Sequence, residues 1–599
     1  MRLSTGSAYS LAFLLATASA SLHAQGTVPE LHTGPAVFHS AKKRVEAAPS
    51  LDFAAAVSRL PEAARHALPV LTEGERDLLR SRESGSRLRM KHPALRVGLV
   101  RSLPSEVGFR GIDPRPGSRS LGGGWLERAS DGRWIWSASF SSAGADGLRI
   151  HVREAWLPSA SRVFLYGPDG EGHGPYTFEA GTRPEGFWTH TVFASETLLR
   201  VEIPAGSSAD DLARATLRVE SLVHLEHPAI ATRGALSVQS QTCFVDASCV
   251  DPSEFPNIAS ASHAVGQLNF IETGGAFVCS GALLNTTTGS MLPYLLTANH
   301  CFSTQAAATS LEIFFDYKTP SCGAPEPRPF GFPSTMGSTL LSTSTDSDFT
   351  LVQLSEDPPD GSVFLGWTTG DYAHVDGTLI HRLSHPGGRP QFYSRHQIES
   401  SPTVLCSGFE QGKFIYSQDV RGGTGGGSSG SPAYLANLEV VGQELGACGT
   451  NTNDDCDRAN LTIDGAFRET FPSVQPWLAP ATPGPCVASS TALCLHGGRF
   501  RVTVSWEKPT GEHGDGIGVM LTDDSAYFWF FSAANVELVV KTLDACSISQ
   551  RFWVFAGGLT DVSVRMTVVD TVAGVVRIYD NPPGVAFLPL QDTTAFACP

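Results

Sequence analysis

All twelve cysteines of this 599-residue chain lie at or beyond position 243, at 243, 249, 279, 301, 322, 406, 448, 456, 486, 494, 546 and 598. Covalent bridging is therefore open only to the part that follows. The first 242 residues must hold together by packing alone. An even count fits six bridges but leaves their connectivity open. Zinc is the rival use of such residues. The spacing contains no paired C-x-x-C and no H-E-x-x-H, so neither a metal nor another cofactor is expected.

Bridges need an oxidising compartment, and the N-terminus points to one. Arg2 supplies a positive start, Leu11 to Ala16 an apolar run too short to span a bilayer, and Ala18-Ser19-Ala20 and His23-Ala24-Gln25 small-residue cleavage sites. Residues 1–25 thus read as a secretory signal and the chain as extracellular. No other stretch has the apolar length of a membrane helix. The net charge of -16 argues against nucleic acid and anionic membrane surfaces as partners.

The length calls for about three or four domains, and with 60 glycines and 39 prolines they should be mainly β. Residues 26–95 carry some helical pattern around Ser50 to Arg82. From about 96 to 227 the period changes to two. Trp134, Trp136, Ala138 and Phe140 alternate with Ile135, Ser137 and Ser139, and Leu148, Ile150 and Val152 with Arg149, His151 and Arg153. Such alternation puts one face on a core and the other in water, as in a β-sandwich. Residues 228–242 read as a linker, with Arg233-Gly234 a plausible processing point. Residues 234–479 contain short apolar runs punctuated by Gly and Pro, and a short helix ending near Trp477-Leu478. Residues 480–485 form a Pro-rich spacer. In residues 486–599, Phe500, Val502, Val504 and Trp506, then Val562, Val564, Met566 and Val568, repeat the two-residue period, so a second sandwich-like module is expected.

Three short motifs in the middle segment carry chemistry: Leu296-Thr297-Ala298-Asn299-His300-Cys301, Ser347-Asp348-Phe349-Thr350-Leu351 and Gly427-Ser428-Ser429-Gly430-Ser431-Pro432. A serine hydroxyl is a poor nucleophile at neutral pH. It needs a base for its proton and a carboxylate to orient that base. Ser429, His300 and Asp348 supply the three parts, and backbone N–H groups of Gly427 and Ser429 would receive the oxyanion. The alternative is a non-catalytic extracellular binding protein that keeps the same fold. His381 and His385 also stand close together, but Pro386 and Gly387-Gly388 argue for a strand and turn rather than a metal-binding helix face.

Through these motifs, residues 243–479 resemble the trypsin-like serine endopeptidases of bacteria, closest to the secreted lysyl endopeptidase group. T-A-x-H-C matches Thr297 to Cys301, S-D-F-T-L matches Ser347 to Leu351, and G-x-S-G-x-P matches Gly427 to Pro432. The resemblance implies two six-stranded β-barrels with the site between them, protein or peptide substrates, and a preference for basic residues before the scissile bond. Carried over by position, it also implies bridges Cys243–Cys448, Cys249–Cys322 and Cys279–Cys301, leaving Cys406 with Cys456. Residues 26–233 would be a propeptide that aids folding or blocks the cleft, and the C-terminal module would bind substrate or surface or be removed during secretion. Two departures stand out. Gly423 occupies the place of the ordinary trypsin specificity carboxylate. In the lysyl group that charge comes from a loop which here holds Asp454, Asp455, Asp457 and Asp464, with Thr462 nearest the matching place. Ser428 stands where pancreatic-type zymogens have the carboxylate that pairs with a freed N-terminus.

Overall fold

Alternating β-branched and aromatic residues produce sheets throughout. The computed structural model describes residues 30–38, 48–80, 94–226, 243–480 and 486–598, apart from 116, 178–185, 403–405, 407, 453, 509 and 511. The expected signal segment 1–25, the linker around Arg233-Gly234 and the spacer residues 481–485 lie outside these.

The N-terminal domain is a sandwich. One sheet is built around Trp134–Ser142, Arg162–Tyr166 and Glu196–Ile203; the other around Leu95–Arg110, Gly147–Trp156 and Thr216–Leu225. Trp136, Phe140, Ile150, Val152, Leu165, Val201 and Leu217 meet between them. The helical pattern near 50–82 resolves into two short helices, Phe53–Ser58 and Glu73–Arg80, with the strand Arg65–Leu68 between them. The first helix is capped by Asp52, whose side chain accepts the Ala55 N–H.

The outer faces are drier than two-residue alternation implies. Ile135 and Ser139 are buried as well as Trp134 and Trp136. The parallel strand Arg65–Leu68 on the edge of Trp134–Ser142 shows that the segment before position 94 packs onto this sheet. Arg149, expected in water, is 1% exposed. The middle domain covers that face: Arg149 Nη2 donates to Ser310 O at 2.7 Å, and its Nε lies 3.9 Å from the buried Glu312 carboxylate. Glu312 in turn accepts from the Thr191 N–H at 3.1 Å and the Thr191 hydroxyl at 2.6 Å.

The middle domain is a double barrel. The second barrel closes in six strands, Leu379–Ser384, Phe392–Ile398, Phe414–Arg421, Leu461–Ala466, Glu439–Cys448 and Pro432–Tyr434. The first was expected to close likewise, but its ladder is open. It runs from Ser338–Ser344 through Phe349–Leu354, Tyr294–Thr297, Gly275–Leu283, Val265–Glu272 and Glu312–Phe315 to Ser334–Met336. Its two ends belong to one segment kinked at Gly337, where φ is +82°. The left-handed kink interrupts the ladder. The helix Phe467–Leu478 closes the domain and buries Phe467, Phe471 and Val474 against the core.

Two N-terminal pieces extend these barrels. His32–Thr33 pairs with Gly366–Thr368, and the start of Leu95–Arg110 pairs antiparallel with Gly275–Leu283 in the register Leu95↔Val278. The C-terminal module is a sandwich of two five-stranded sheets. Phe500, Val502, Val504, Val564, Met566 and Val568 point into its core.

The seam between the first two domains rests on a buried ion pair, whose loss strands its partner's charge. Replacing Arg149 with Met is expected to lower unfolding free energy by about 3–5 kcal/mol. Urea titration reads the loss, and amide exchange along the strand Glu312–Phe315 should accelerate with it.

Candidate active site

The strand Tyr294–Thr297 is buried along its whole length and ends in the turn that carries His300. Its antiparallel partner Phe349–Leu354 begins at the matching end, with Thr297 opposite Thr350. That register sets Asp348 beside Asn299 and His300. Asp348 Oδ2 lies 2.7 Å from His300 Nδ1, and its Oδ1 accepts the His300 N–H at 2.9 Å. The Asp348 carbonyl accepts the Asn299 N–H at 3.1 Å. Asp348 holds φ at +53°, a left-handed conformation costing a non-glycine residue about 1–3 kcal/mol. These three bonds, with Gln443 Nε2 donating to Ser347 O at 2.7 Å, hold it there. The carboxylate is nearly buried and the imidazole 21% exposed. With Nδ1 held by Asp348, the imidazole is fixed in orientation.

Ser429 lies on a loop of the second barrel that is seated on the first. Ser280 N–H donates to the Ser429 carbonyl at 2.8 Å, and Ser280 Oγ donates to Gly427 O at 2.9 Å. Gly430 packs so closely that a Cβ there would stand 2.1 Å from Thr297 Oγ1 and 2.7 Å from Ala298 N. The loop turns tightly, with Ser428 N–H donating to Gly425 O at 2.8 Å and Gly427 at φ +98°. The Cys279–Cys301 bridge lies beneath it, with Cys301 Sγ 3.7 Å from Ser429 O. His300, Asp348 and Ser429 are thereby drawn to one end of the interbarrel seam.

The disulfides differ from the expected set in two places. Cys243 pairs with Cys456 rather than Cys448, and Cys406 pairs with Cys448 rather than Cys456. The reason is packing. Cys448 ends its strand inside a cluster with Cys406, Phe409, Phe414 and Tyr416. Cys243 Sγ instead lies 3.5 Å from the Cβ position of Gly423, against the loop that carries Cys456. Cys249 is bridged to Cys322. The C-terminal module holds Cys486–Cys494 and Cys546–Cys598.

The carboxylates of the 454–464 loop separate by position. Asp464 is fully buried on Arg382. Asp454 accepts the Cys456 N–H at 2.9 Å, and Asp457 accepts the Ala459 N–H at 2.9 Å, both local turn bonds. Asp455 faces the Ser429 loop, its Oδ2 3.1 Å from the Cβ position of Gly425. A small cavity beside that loop is lined by Asp455, Thr424, Ala447, Thr462 and a residue the sequence reasoning missed, Asp419. Asp419 Oδ2 lies 3.4 Å from the Cβ position of Gly423. Thr462 donates its hydroxyl to Asp419 at 3.0 Å, and His396 Nδ1 stands 2.8 Å away. Burial pushes the Asp419 carboxyl up, but His396, Thr462 and Arg382 outweigh it and hold it below the usual range. The signal in the sequence was slight, a lone carboxylate in a strand four residues before Gly423.

His381 and His385 lie at a strand and a turn. His381 Nδ1 meets the Tyr393 hydroxyl at 2.8 Å with its ring stacked on Phe255, and His385 Nδ1 donates to Arg389 O at 2.9 Å. Their rings serve packing, and burial depresses both to about 4.

Residues 238–459 match the protein family described as Lysyl endopeptidase, C-terminal domain. A lysyl endopeptidase of Pseudomonas aeruginosa is 26% identical over 357 residues, which span 52% of this chain and 73% of the relative. Secreted RxLR effector protein 73 of Plasmopara viticola is 28% identical over 236 residues, 38% of this chain and 55% of the relative. Among solved structures, the protease Anisep of Arthrobacter nicotinovorans aligns with TM-score 0.27 and 16% identity, covering 37% of this chain and 97% of its own. The thermostable serine protease AL20 of an extremophilic microorganism aligns with TM-score 0.24 and 14% identity, covering 36% of this chain and 99% of its own.

The buried histidines set an acid limit. His385 takes a proton near pH 4 when folded, against an ordinary value of 6.5 for the unfolded chain. The unfolded state therefore binds more protons between these values. This contribution to stability is whole above pH 6.5 and is lost as pH falls toward 4. Melting temperature should drop across that window, and His385→Gln should flatten the slope.

Proposed function

We propose that this serine endopeptidase, kin to the lysyl endopeptidases, is a secreted pre-pro-enzyme that cuts peptide bonds through Ser429, His300 and Asp348. The observation that carries the reading is the 2.7 Å contact of His300 Nδ1 with Asp348, on a turn against which the Ser429 loop is pinned.

In this reading His300 Nε2 takes the Ser429 proton as Oγ attacks the scissile carbonyl, and Asp348 stabilises the imidazolium that forms. The developing oxyanion receives the N–H groups of Gly427 and Ser429. One such donor is worth about 2.7–4 kcal/mol in the transition state. His300 then protonates the leaving amine, and the acyl-enzyme forms on Ser429. Water, deprotonated by the same imidazole, releases the acid product and restores the serine.

The preference is for a basic residue before the scissile bond. One relative is a lysyl endopeptidase, and the carboxylates of Asp419 and Asp455 stand against the nucleophile loop here. Asp419 is the principal counterion in this reading. The family place, Thr462, carries no charge but donates its hydroxyl to Asp419 from the neighbouring strand.

The N-terminal domain is the propeptide. Leu95 pairs with Val278, immediately before Cys279, and its Cδ1 lies 3.9 Å from the Cβ position of Gly426. An extended strand at that edge occupies the path of a substrate beyond the scissile bond, which favours blocking of the cleft.

Three experiments test this. A fluorophosphonate probe should label the processed protein and fail to label Ser429→Ala; absence of labelling in the unsubstituted enzyme rejects the catalytic reading. N-terminal sequencing should place the mature start near Gly234, whereas a mature chain beginning near residue 26 rejects the propeptide. Cleavage mapping on a peptide library should then show cuts after Lys or Arg. Asp419→Asn should lower kcat/KM for those bonds by about tenfold or more, the worth of one charge-assisted hydrogen bond. Cuts spread over uncharged residues would remove the basic preference and leave proteolysis standing.

A further inference from the structure

Behind Ser429 lies a charge cluster that the chemistry above does not use. Arg382, on the strand Leu379–Ser384, is fully buried. Its Nη1 donates to both the carbonyl and the hydroxyl of Ser431, each at 2.9 Å. Its Nη2 donates to Asp464, and Nη1 lies 3.7 Å from Glu444. Ser431 Oγ donates to Glu444 Oε2 at 3.1 Å. The backbones close the same circuit: Gly430 N–H donates to Glu444 O at 2.8 Å, and Glu444 N–H donates to Ser431 O at 2.9 Å. Ser428, Ser431, Glu444 and Asp464 are all buried with Arg382.

This geometry answers a question that the sequence raises. Ser428 is neutral, so this position offers no ion pair to a freed N-terminal amine. Its hydroxyl is instead engaged with Gly425 N–H at 3.2 Å and Ser384 Oγ at 3.0 Å. Order must come from groups already in the fold. A guanidinium offers a rigid fork of donors, and here it grips the residue two positions after the nucleophile. Burial disfavours the Arg382 charge, but Asp464 and Glu444 more than restore it, so it stays cationic.

We infer that Arg382 is a positioning residue for acyl transfer: paired with Asp464 and set beside Glu444, it holds the Ser431 carbonyl and thereby fixes the Ser429 and Gly427 N–H groups, the part that a freed N-terminal amine plays in pancreatic-type zymogens. The inference rests on the proposed role of Ser429. Its consequence is that removal of the N-terminal domain uncovers a cleft already in its working shape.

The test separates this from a purely structural ion cluster, which would change only how much enzyme folds. Active sites are titrated with a fluorophosphonate probe and kcat is expressed per titrated site. Arg382→Met should lower kcat by about tenfold to a hundredfold, in the range of a weakened oxyanion donor, with KM within about twofold. Affinity for a peptide boronate, which needs the oxyanion site, should weaken by the same factor as kcat/KM. Arg382→Lys should recover part of the loss. Carbamylating the α-amine of the mature enzyme should leave kcat unchanged. Should Arg382→Met fail to fold, Ser431→Ala removes one of the two Nη1 contacts and keeps the ion cluster, and kcat per site should fall by about threefold. An unchanged kcat per titrated site in the variant that folds overturns the inference, as does loss of activity on blocking the α-amine. Absence of labelling in the unsubstituted enzyme would instead reject the role of Ser429 itself.

Discussion

Ser280 joins the two halves of the site. From the first barrel, its N–H reaches the carbonyl of Ser429 and its hydroxyl reaches the carbonyl of Gly427, at 2.8 and 2.9 Å. The same hydroxyl accepts the His385 N–H of the second barrel at 3.0 Å. These bonds help to fix the Ser429 loop relative to His300, which belongs to the first barrel as Ser280 does. The closeness of the two segments explains Gly430. Any side chain there would enter Thr297 and Ala298, so the seam and the glycine require each other.

Buried charge recurs where surfaces must meet in one register. Arg382 with Asp464 and Glu444 backs the Ser429 loop, and Arg149 with Glu312 crosses from the N-terminal to the middle domain. An isolated buried charge is costly, so each of these arginines is paired and bonded to backbone carbonyl oxygens. Such pairs add less net stability than apolar packing of equal volume. What they supply here is geometry, since a planar guanidinium satisfies its acceptors in few arrangements.

Much of this was legible along the chain. The alternation through Trp134 to Phe140 and Phe500 to Trp506 marks strands because a strand with one buried face imposes a period of two. The residues proposed for catalysis stand in short local motifs, so each could be named without the fold. The open first barrel, the exchanged partners of Cys243 and Cys406, and the burial of Arg149 could not be seen. Each depends on what covers a surface or which loop arrives beside it, and local pattern holds no record of either. Asp419 escaped for the same reason. Its partner Thr462 is 43 residues away, joined to it only by strand pairing.

The amino-acid order by itself determined the β-rich domains, the division at Cys243, and a serine, a histidine and an aspartate in the contexts that acyl transfer requires. These are matters of period and short-range spacing. The tertiary structure alone decided that a strand of the N-terminal domain pairs with Gly275–Leu283, that Asp419 lines the cavity beside the Ser429 loop, and that Arg382 stands behind Ser429. All three are contacts between segments far apart in the chain. They exist because hydrogen-bonded strands and buried charges must be satisfied by whichever neighbours the folded barrels supply.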